Sequence, residues 1–477
     1  MLVSGHRSLG RKLLLICVLA ALMSLPAFAV FGLILERTHR AEAVVREVGA
    51  TFGGEQAFSG PMLAAPYKAS RTVNGPDGKL ATEFDSGWYV VFPAAGTGDG
   101  QVDVDVRQRG SLFKVRTYRA GVKFEGDFDL TGEPSAAPEG AIVDWGRAVL
   151  LIGVSDPRGA QKAEVRINGG EAQKLQPGTA YSAIPANLSP NGGEGLKWLK
   201  LDMGEIVRPD VRLKIAADLA FTGVESVTLS AFAKDTKLSL MGNWPHVSYS
   251  GAFPSSIEAA PAGGFLRRWS IPYVARGLDG AGVANATAIS GNLAVSARLL
   301  DPANPYKAVE RSLKYALMFI GLIFLAFFVL ETVSGKRVHP AQYVLIGLAQ
   351  VVFYLLLLSI AERTGFDIAF LIAAGATVAL ISSYAGTVFE SRARGLVALL
   401  VFSALYGLIY MLMRLEDFAL LAGALAAFAA IAGVMFFTRR VSWYDVSMTG
   451  QGPPASTARP PMAAPSMDRP MPPPANS

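Results

Sequence analysis

The chain has 477 residues, of which 51% are hydrophobic and only 17% charged, a balance on the membrane side of the globular range. Its single cysteine, Cys17, excludes an intramolecular disulfide and Cys-x-x-Cys metal sites, and four scattered histidines offer no paired-ligand spacing for zinc. The net charge of +6 gathers at the edges of apolar segments, where orientation and anionic headgroups account for it without nucleic acid as a partner.

At the amino end His6, Arg7, Arg11 and Lys12 precede an apolar run from Leu13 to Leu35, interrupted by Ser24 and Pro26. This predicts a cytoplasmic N-terminus at 1–12 and a first transmembrane helix at 13–35. Ala27-Phe28-Ala29 has the form that signal peptidase cuts. The run continues past it to a full membrane span, which favours an uncleaved helix. In either case the basic flank places the next segment outside the cytoplasm. Val44, Val45, Val48 and Phe52 share a helical face, so 36–52 reads as a lead-in that continues this helix until Gly53 and Gly54 end it.

From 36 to 308 a periplasmic, β-rich domain is expected. Short β-branched or alternating runs separated by turns read as strands: Trp88 to Phe92, Gln101 to Arg107, Leu112 to Tyr118, Val122 to Leu130, Ala148 to Val154, Val211 to Phe221, Val224 to Phe232 and Thr236 to Met241. Without intervening helical periods they predict a sandwich-like architecture, as one large or two smaller units. Val102-Asp103-Val104-Asp105-Val106 places two carboxylates on one face of a strand, the pattern of a solvated edge strand. Gly277-Leu278-Asp279-Gly280-Ala281-Gly282 lacks a preceding strand and a P-loop lysine, and reads as a turn before a phosphate cradle. Trp244 and His246, in Asn243-Trp244-Pro245-His246, read as a rigid corner or an interaction surface; no nucleophile, base and orienter assemble around the histidine.

Five further apolar segments, 313–333, 341–361, 366–389, 395–413 and 418–437, form a transmembrane domain over 309–440. Lys336, Arg337 and His339 follow the first, Arg392 and Arg394 the third, and Arg439 and Arg440 the fifth. The other connectors carry acids with one base each. This alternation predicts basic connectors inside, mixed ones outside, and both termini cytoplasmic. The fold class is thus an α-helical bundle of six transmembrane helices with a large β-rich periplasmic domain, followed at 441–477 by a disordered Pro/Met-rich tail. Glu331 lies in the first of the five segments, where a carboxylate is costly unless paired, and Lys336 and Arg337 are the expected partners. Proline in the first turn after His339, and Tyr343 at the interface, fit a helix start. Gln342, Tyr354 and Glu362 complete the candidate functional residues, and Gly375 with Ala379 and Gly423 with Ala427 are spaced for close helix packing.

Phe328-Val329-Leu330-Glu331-Thr332, His339 through Gly347, and Phe353 through Ser359 with Glu362, Thr364, Gly365 and Phe366 closely resemble the CreD family of bacterial inner-membrane proteins. Ile152-Gly153-Val154-Ser155-Asp156-Pro157-Arg158-Gly159, the Trp-Pro-His corner and Thr438 through Tyr444 resemble it too, although Val247-Ser248-Tyr249 stands where the family has proline, serine and phenylalanine. The resemblance implies a cell envelope integrity protein of the inner membrane, similar to ones controlled by a two-component sensor system, and supplies no catalytic residues. Catalytic residues, metals and cofactors are accordingly expected to be none. The partners expected are the lipid bilayer and an unidentified periplasmic or envelope component. A transporter or lipid-handling channel is the alternative, and an enzyme acting through Glu331, His339 or Glu362 comes last.

Overall fold

The computed structural model describes residues 9–74, 80–109, 113–178, 196–277, 279–283, 293–301, 305–414 and 419–439. The expected tail at 441–477, Arg440, Leu278, Pro302, Asn304 and the acids Glu416 and Asp417 lie outside them. Backbone contacts divide the chain into two units, 28–311 with 354–373, and 1–27 with 312–353 and 374–477.

The chain begins with α1 (Leu9–Phe52), one continuous helix, so the expected span and its lead-in are a single element. Next come β1 (Gln56–Asn74), β2 (Leu80–Val91), β3 (Ala95–Arg109), β4 (Phe113–Asp129), β5 (Ala141–Val143), β6 (Val149–Val154), β7 (Ala160–Ile167), β8 (Gln173–Lys174) and β9 (Gln176–Pro177). They are followed by β10 (Lys197–Asp202), β11 (Arg212–Val224), β12 (Ser226–Ser230), β13 (Asp235–Gly242), β14 (Val247–Gly251), β15 (Ser256–Ile257) and β16 (Phe265–Ile271). A short helix, α2 (Tyr273–Arg276), then β17 (Ala281–Val283) and β18 (Ala294–Leu299) complete the β domain.

These strands make two sheets. The first runs β14-β18-β12-β1-β6-β10-β9, with β2 and β5 also on β1 and β17 on β2; the second runs β15-β16-β13-β3-β4-β11-β7-β8. One continuous core joins their inner faces, with Phe58, Leu63, Leu150 and Ile152 from the first sheet and Val122, Phe124, Leu219, Phe221 and Leu240 from the second. Edge-on ring pairs, Phe58 with Phe221 and Phe124 with Phe232, knit it together. The domain is therefore one sandwich. β4 has the alternation this requires: Val122, Phe124 and Phe128 point inward while Lys123, Glu125 and Asp127 stay exposed. β6 is buried on both faces, because Val149 and Leu151 join Met62, Val90 and Trp198 in a second, outer apolar cluster.

One expectation about the strands is corrected. The two runs expected at Leu112 to Tyr118 and Val122 to Leu130 fall, from Phe113 to Asp129, in one strand, β4, with Leu112 outside the described residues. β3 is interior up to Val102, paired to β4 and β13, and only beyond it does the pairing with β13 stop, leaving Asp103 and Asp105 exposed. There the Asn243 side chain stands in for a missing strand, accepting from the Val104 N–H (2.8 Å) and donating to its carbonyl (3.3 Å).

The remaining helices are α3 (Pro305–Lys314), α4 (Ala316–Ser334), α5 (Pro340–Thr364), α6 (Phe366–Val388), α7 (Arg392–Arg414) and α8 (Ala419–Thr438). The segment expected at 313–333 starts later, at Ala316. Before it, the charged stretch around Glu310 and Arg311 forms the polar helix α3, which Tyr315 separates from α4. Where six spans are expected, five helices among the described residues, α1, α4, α5, α6 and α7, are long and apolar enough to cross a membrane. α4 packs on α7 through Phe319, whose ring meets Tyr406 edge-on at 4.9 Å, and Phe353 meets the same tyrosine at 5.0 Å. The expected Gly375 contact is absent: nothing lies within 4 Å of where its Cβ would be. The close glycine pair is Gly386 and Gly395, where a Cβ on Gly395 would sit 3.1 Å from the Gly386 Cα.

Candidate functional site

Two motifs of the β domain fix its ends: one packs on the end of α1 where the chain enters, the other pins the end of β18. At the entry, Gly53 and Gly54 adopt left-handed conformations, and the Gly54 N–H reaches back to the Gly49 carbonyl (2.7 Å), closing α1. Gln56, fully buried, donates from Nε2 to the carbonyls of Gly53 (2.8 Å), Asp156 (3.1 Å) and Thr222 (3.3 Å). Ser155 accepts from the Ala57 N–H (3.0 Å), and Asp156 caps the turn Pro157–Gly159. Burial alone would raise the Asp156 carboxyl, but its hydrogen bonds from the Arg158 side chain and backbone hold it below the usual carboxylate range. Gly159 lies so closely between β11 and the helix end that a Cβ would come within 2.5 Å of the Thr222 carbonyl oxygen and 3.1 Å of the Phe52 carbonyl oxygen.

At the exit, the Trp244 indole donates from Nε1 to the Leu300 carbonyl (2.9 Å), and the Leu300 N–H donates to the His246 carbonyl (2.8 Å). The His246 imidazole itself is exposed. Arg116, on β4, adds ion pairs to Glu225 and to Asp301, both at 3.3 Å. Trp244 and His246 thus form a corner that fixes the end of β18.

Within the helices the candidates separate into two clusters. Glu331, buried near the end of α4, takes Lys12 as its partner, where sequence proximity pointed to Lys336 and Arg337. The same oxygen, Oε1, accepts from the Val338 N–H (2.8 Å), Oε2 accepts from the Tyr343 hydroxyl (2.8 Å), and Lys12 donates also to the Val338 carbonyl (2.8 Å). The carboxylate thereby has a cation and two further donors, which is what makes its burial tolerable. Tyr343 is fully buried, its ring edge-on to Phe324 (5.7 Å) and Phe327 (5.4 Å). Lys336 pairs instead with Glu390 (2.7 Å), whose carboxyl that hydrogen bond and charge hold below the usual range.

His339 and Gln342 cap α5. The Ala341 N–H donates to His339 Nδ1 (3.2 Å), and the His339 N–H donates to Gln342 Oε1 (2.9 Å), a reciprocal pair that satisfies exposed backbone donors of the first turn. At the other end of α5, Glu362 Oε1 accepts from the Tyr306 hydroxyl (3.2 Å) and lies 3.8 Å from Arg37 Nε. Burial, reinforced by that carboxylate, pushes the Tyr306 hydroxyl up to about 12. Tyr354 is fully buried. Lys12, Arg37, Tyr306 and Arg116 are the residues the sequence reading missed; the one signal for Lys12 was a cation abutting an apolar run.

Among the described residues no group of acids, histidines or cysteines is arranged to hold a metal ion.

The profile of a family described as Inner membrane protein CreD matches residues 8–444. The Inner membrane protein CreD of Escherichia coli (strain K12) is 30% identical over 429 residues, covering 90% of this chain and 92% of the relative. A provisionally assigned nutrient binding protein from Legionella pneumophila, of known structure, covers 57% of this chain and 79% of its own at 9% identity and a TM-score of 0.24, a likeness too slight to carry an argument. The profile match, the full-length relative and the apolar helices agree, and the chain belongs to the CreD family of inner membrane proteins.

Proposed function

We propose that this is a non-enzymatic protein supporting cell envelope integrity, in which six membrane helices carry a periplasmic sandwich that binds an envelope component or partner. α8, 20 residues long, is the sixth span, and both termini lie in the cytoplasm. The supporting observation is the weld of the sandwich to the end of α1 by Gln56 and Gly159, beside Ser155 and Asp156. A domain joined to its anchor in this way transmits position and force, whereas a tethered enzyme needs neither. The test is complementation of an envelope-sensitive deletion strain by Glu331→Gln, His339→Ala and a variant with a flexible Gly/Ser insert after Gly54. Binding by a fixed domain predicts loss only for the insert, with all three variants present at normal levels.

The alternative, a transporter or lipid-handling channel, has one observation in its favour. Gln350, on α5, is fully buried, and neither its Oε1 nor its Nε2 has a hydrogen-bond partner. An amide left so in a hydrocarbon setting is unfavourable and invites water or a polar solute. If Gln350→Leu leaves complementation intact while raising thermal stability, the transport reading falls.

A further inference from the structure

Where the β domain turns from β16 through α2 into β17, two cations stand without carboxylates. Arg276 is 3% exposed, its Nε and Nη1 sealed from solvent without a hydrogen-bond partner. Its guanidinium lies over the Phe92 ring, Cζ 4.1 Å from the centroid. Lys234, half-buried, runs its side chain across Gly280: a Cβ there would meet Lys234 Cε at 1.8 Å and Nζ at 2.6 Å, so a methyl at this position would displace the lysine. The two platforms adjoin, since the Phe92 N–H donates to the Gly280 carbonyl (2.9 Å) and the Lys234 N–H to the carbonyl of Pro93 (2.8 Å).

Acids are close in sequence yet do not neutralise these groups. Asp235 Oδ1 accepts from the Tyr273 N–H (3.0 Å), and Asp279 is exposed. Among the described residues neither Arg276 nor Lys234 forms an ion pair. Burial lowers the Arg276 guanidinium to about 10, the mark of a cation taken from water without a counter-charge. A stack on one aromatic ring offsets part of that loss, but leaves the in-plane N–H groups unanswered. A guanidinium presents those N–H groups in the geometry that phosphate and carboxylate oxygens match, and the ammonium on the adjoining Gly280 platform offers a second donor cation.

We propose that Arg276 and Lys234, set on the Phe92 and Gly280 platforms, bind a phosphate-type oxyanion, either free or as a lipid headgroup. Gly280 then borders an anion site built from side-chain cations and not from a P-loop of backbone amides. This site stands whether or not the sandwich binds an envelope partner.

Titration of the full-length protein in detergent with inorganic phosphate, against chloride at equal ionic strength, tests it by calorimetry and thermal unfolding. Saturable binding with a rise in melting temperature is expected. Arg276→Gln should weaken it roughly tenfold or more, as loss of a charge-assisted hydrogen bond would, and Lys234→Gln less. Should Arg276→Gln not fold, Lys234→Gln and Gly280→Ala, which displaces the lysine, carry the same comparison. Nanodiscs containing phosphatidylglycerol, set against purely zwitterionic ones and competed with phosphate, decide the source of the anion. No saturable effect of either source, or equal effects in wild type and variants, overturns the proposal and leaves Arg276 a packing residue.

Discussion

Glu331 illustrates what one residue of this chain conveys and what it withholds. A carboxylate in an apolar helix demands a partner, and that demand is legible. The partner is not, because Lys12 lies 319 positions away and sequence proximity favours Lys336, which the structure commits to Glu390. Removing one member of a buried pair strands the other, so Lys12→Met should destabilise the bundle by about 3 kcal/mol, Glu331→Gln less, and the double variant Lys12→Met/Glu331→Leu less than the sum. Unfolding of the three variants in mixed micelles checks this, and additive losses would show that no coupling exists. Tyr89 makes a second prediction, of pH dependence. Burial and a hydrogen bond to Glu133 push its hydroxyl up to about 12, above the unfolded value near 10. Folding therefore favours the protonated phenol: its contribution is whole below about pH 10 and fades as pH rises toward 12. The melting temperature should fall between pH 10 and 12, and Tyr89→Phe should shallow that fall.

Among the elements, the junction of α1 with the sheets bears the most on the proposed function. Gly159→Ala places a methyl carbon against the Thr222 carbonyl and the Gln56 amide, backbone and buried side chain that have little room to give, and should cost roughly 2–3 kcal/mol. Gly54→Ala meets nothing within 4 Å, so it should cost only the strain of its left-handed φ of +69°, about 1 kcal/mol. Melting curves of the two variants separate crowding from backbone strain, and equal losses would contradict the close docking of the helix end. The helices were legible to within a few residues because their apolar runs are long. The strands were legible only where alternation is unbroken. β1, the strand shared by most partners of the first sheet, went unread, since Gly60, Pro61 and Pro66 interrupt it, although Gly60 is there to let the Phe232 ring in. β4 was split at Gly121, a turn signal that in the fold merely faces solvent.

For the whole molecule, the two charged clusters and the basic connectors make one topological argument. Lys12, Lys336, Arg337, Arg392 and Arg394 form one set beside the ends of α1, α4, α5 and α7, and Glu362 lies near the opposite end of α5. Lysine and arginine retained in the cytoplasm would put the first set inside and the sandwich outside. The number of spans then decides where the chain ends: α8 returns residue 477 to the cytoplasm if it crosses, and leaves it outside if it does not. Replacing Cys17 with serine gives a cysteine-free background, in which single substitutions Phe84→Cys, Arg337→Cys and Ser477→Cys can be probed with a membrane-impermeant thiol reagent. Phe84, 79% exposed on β2, should label in spheroplasts with intact inner membranes, whereas positions 337 and 477 should label only after permeabilisation. Labelling of 477 in intact spheroplasts would reduce the bundle to five crossings, and protection of 84 would invert the molecule and remove the sandwich from any envelope partner.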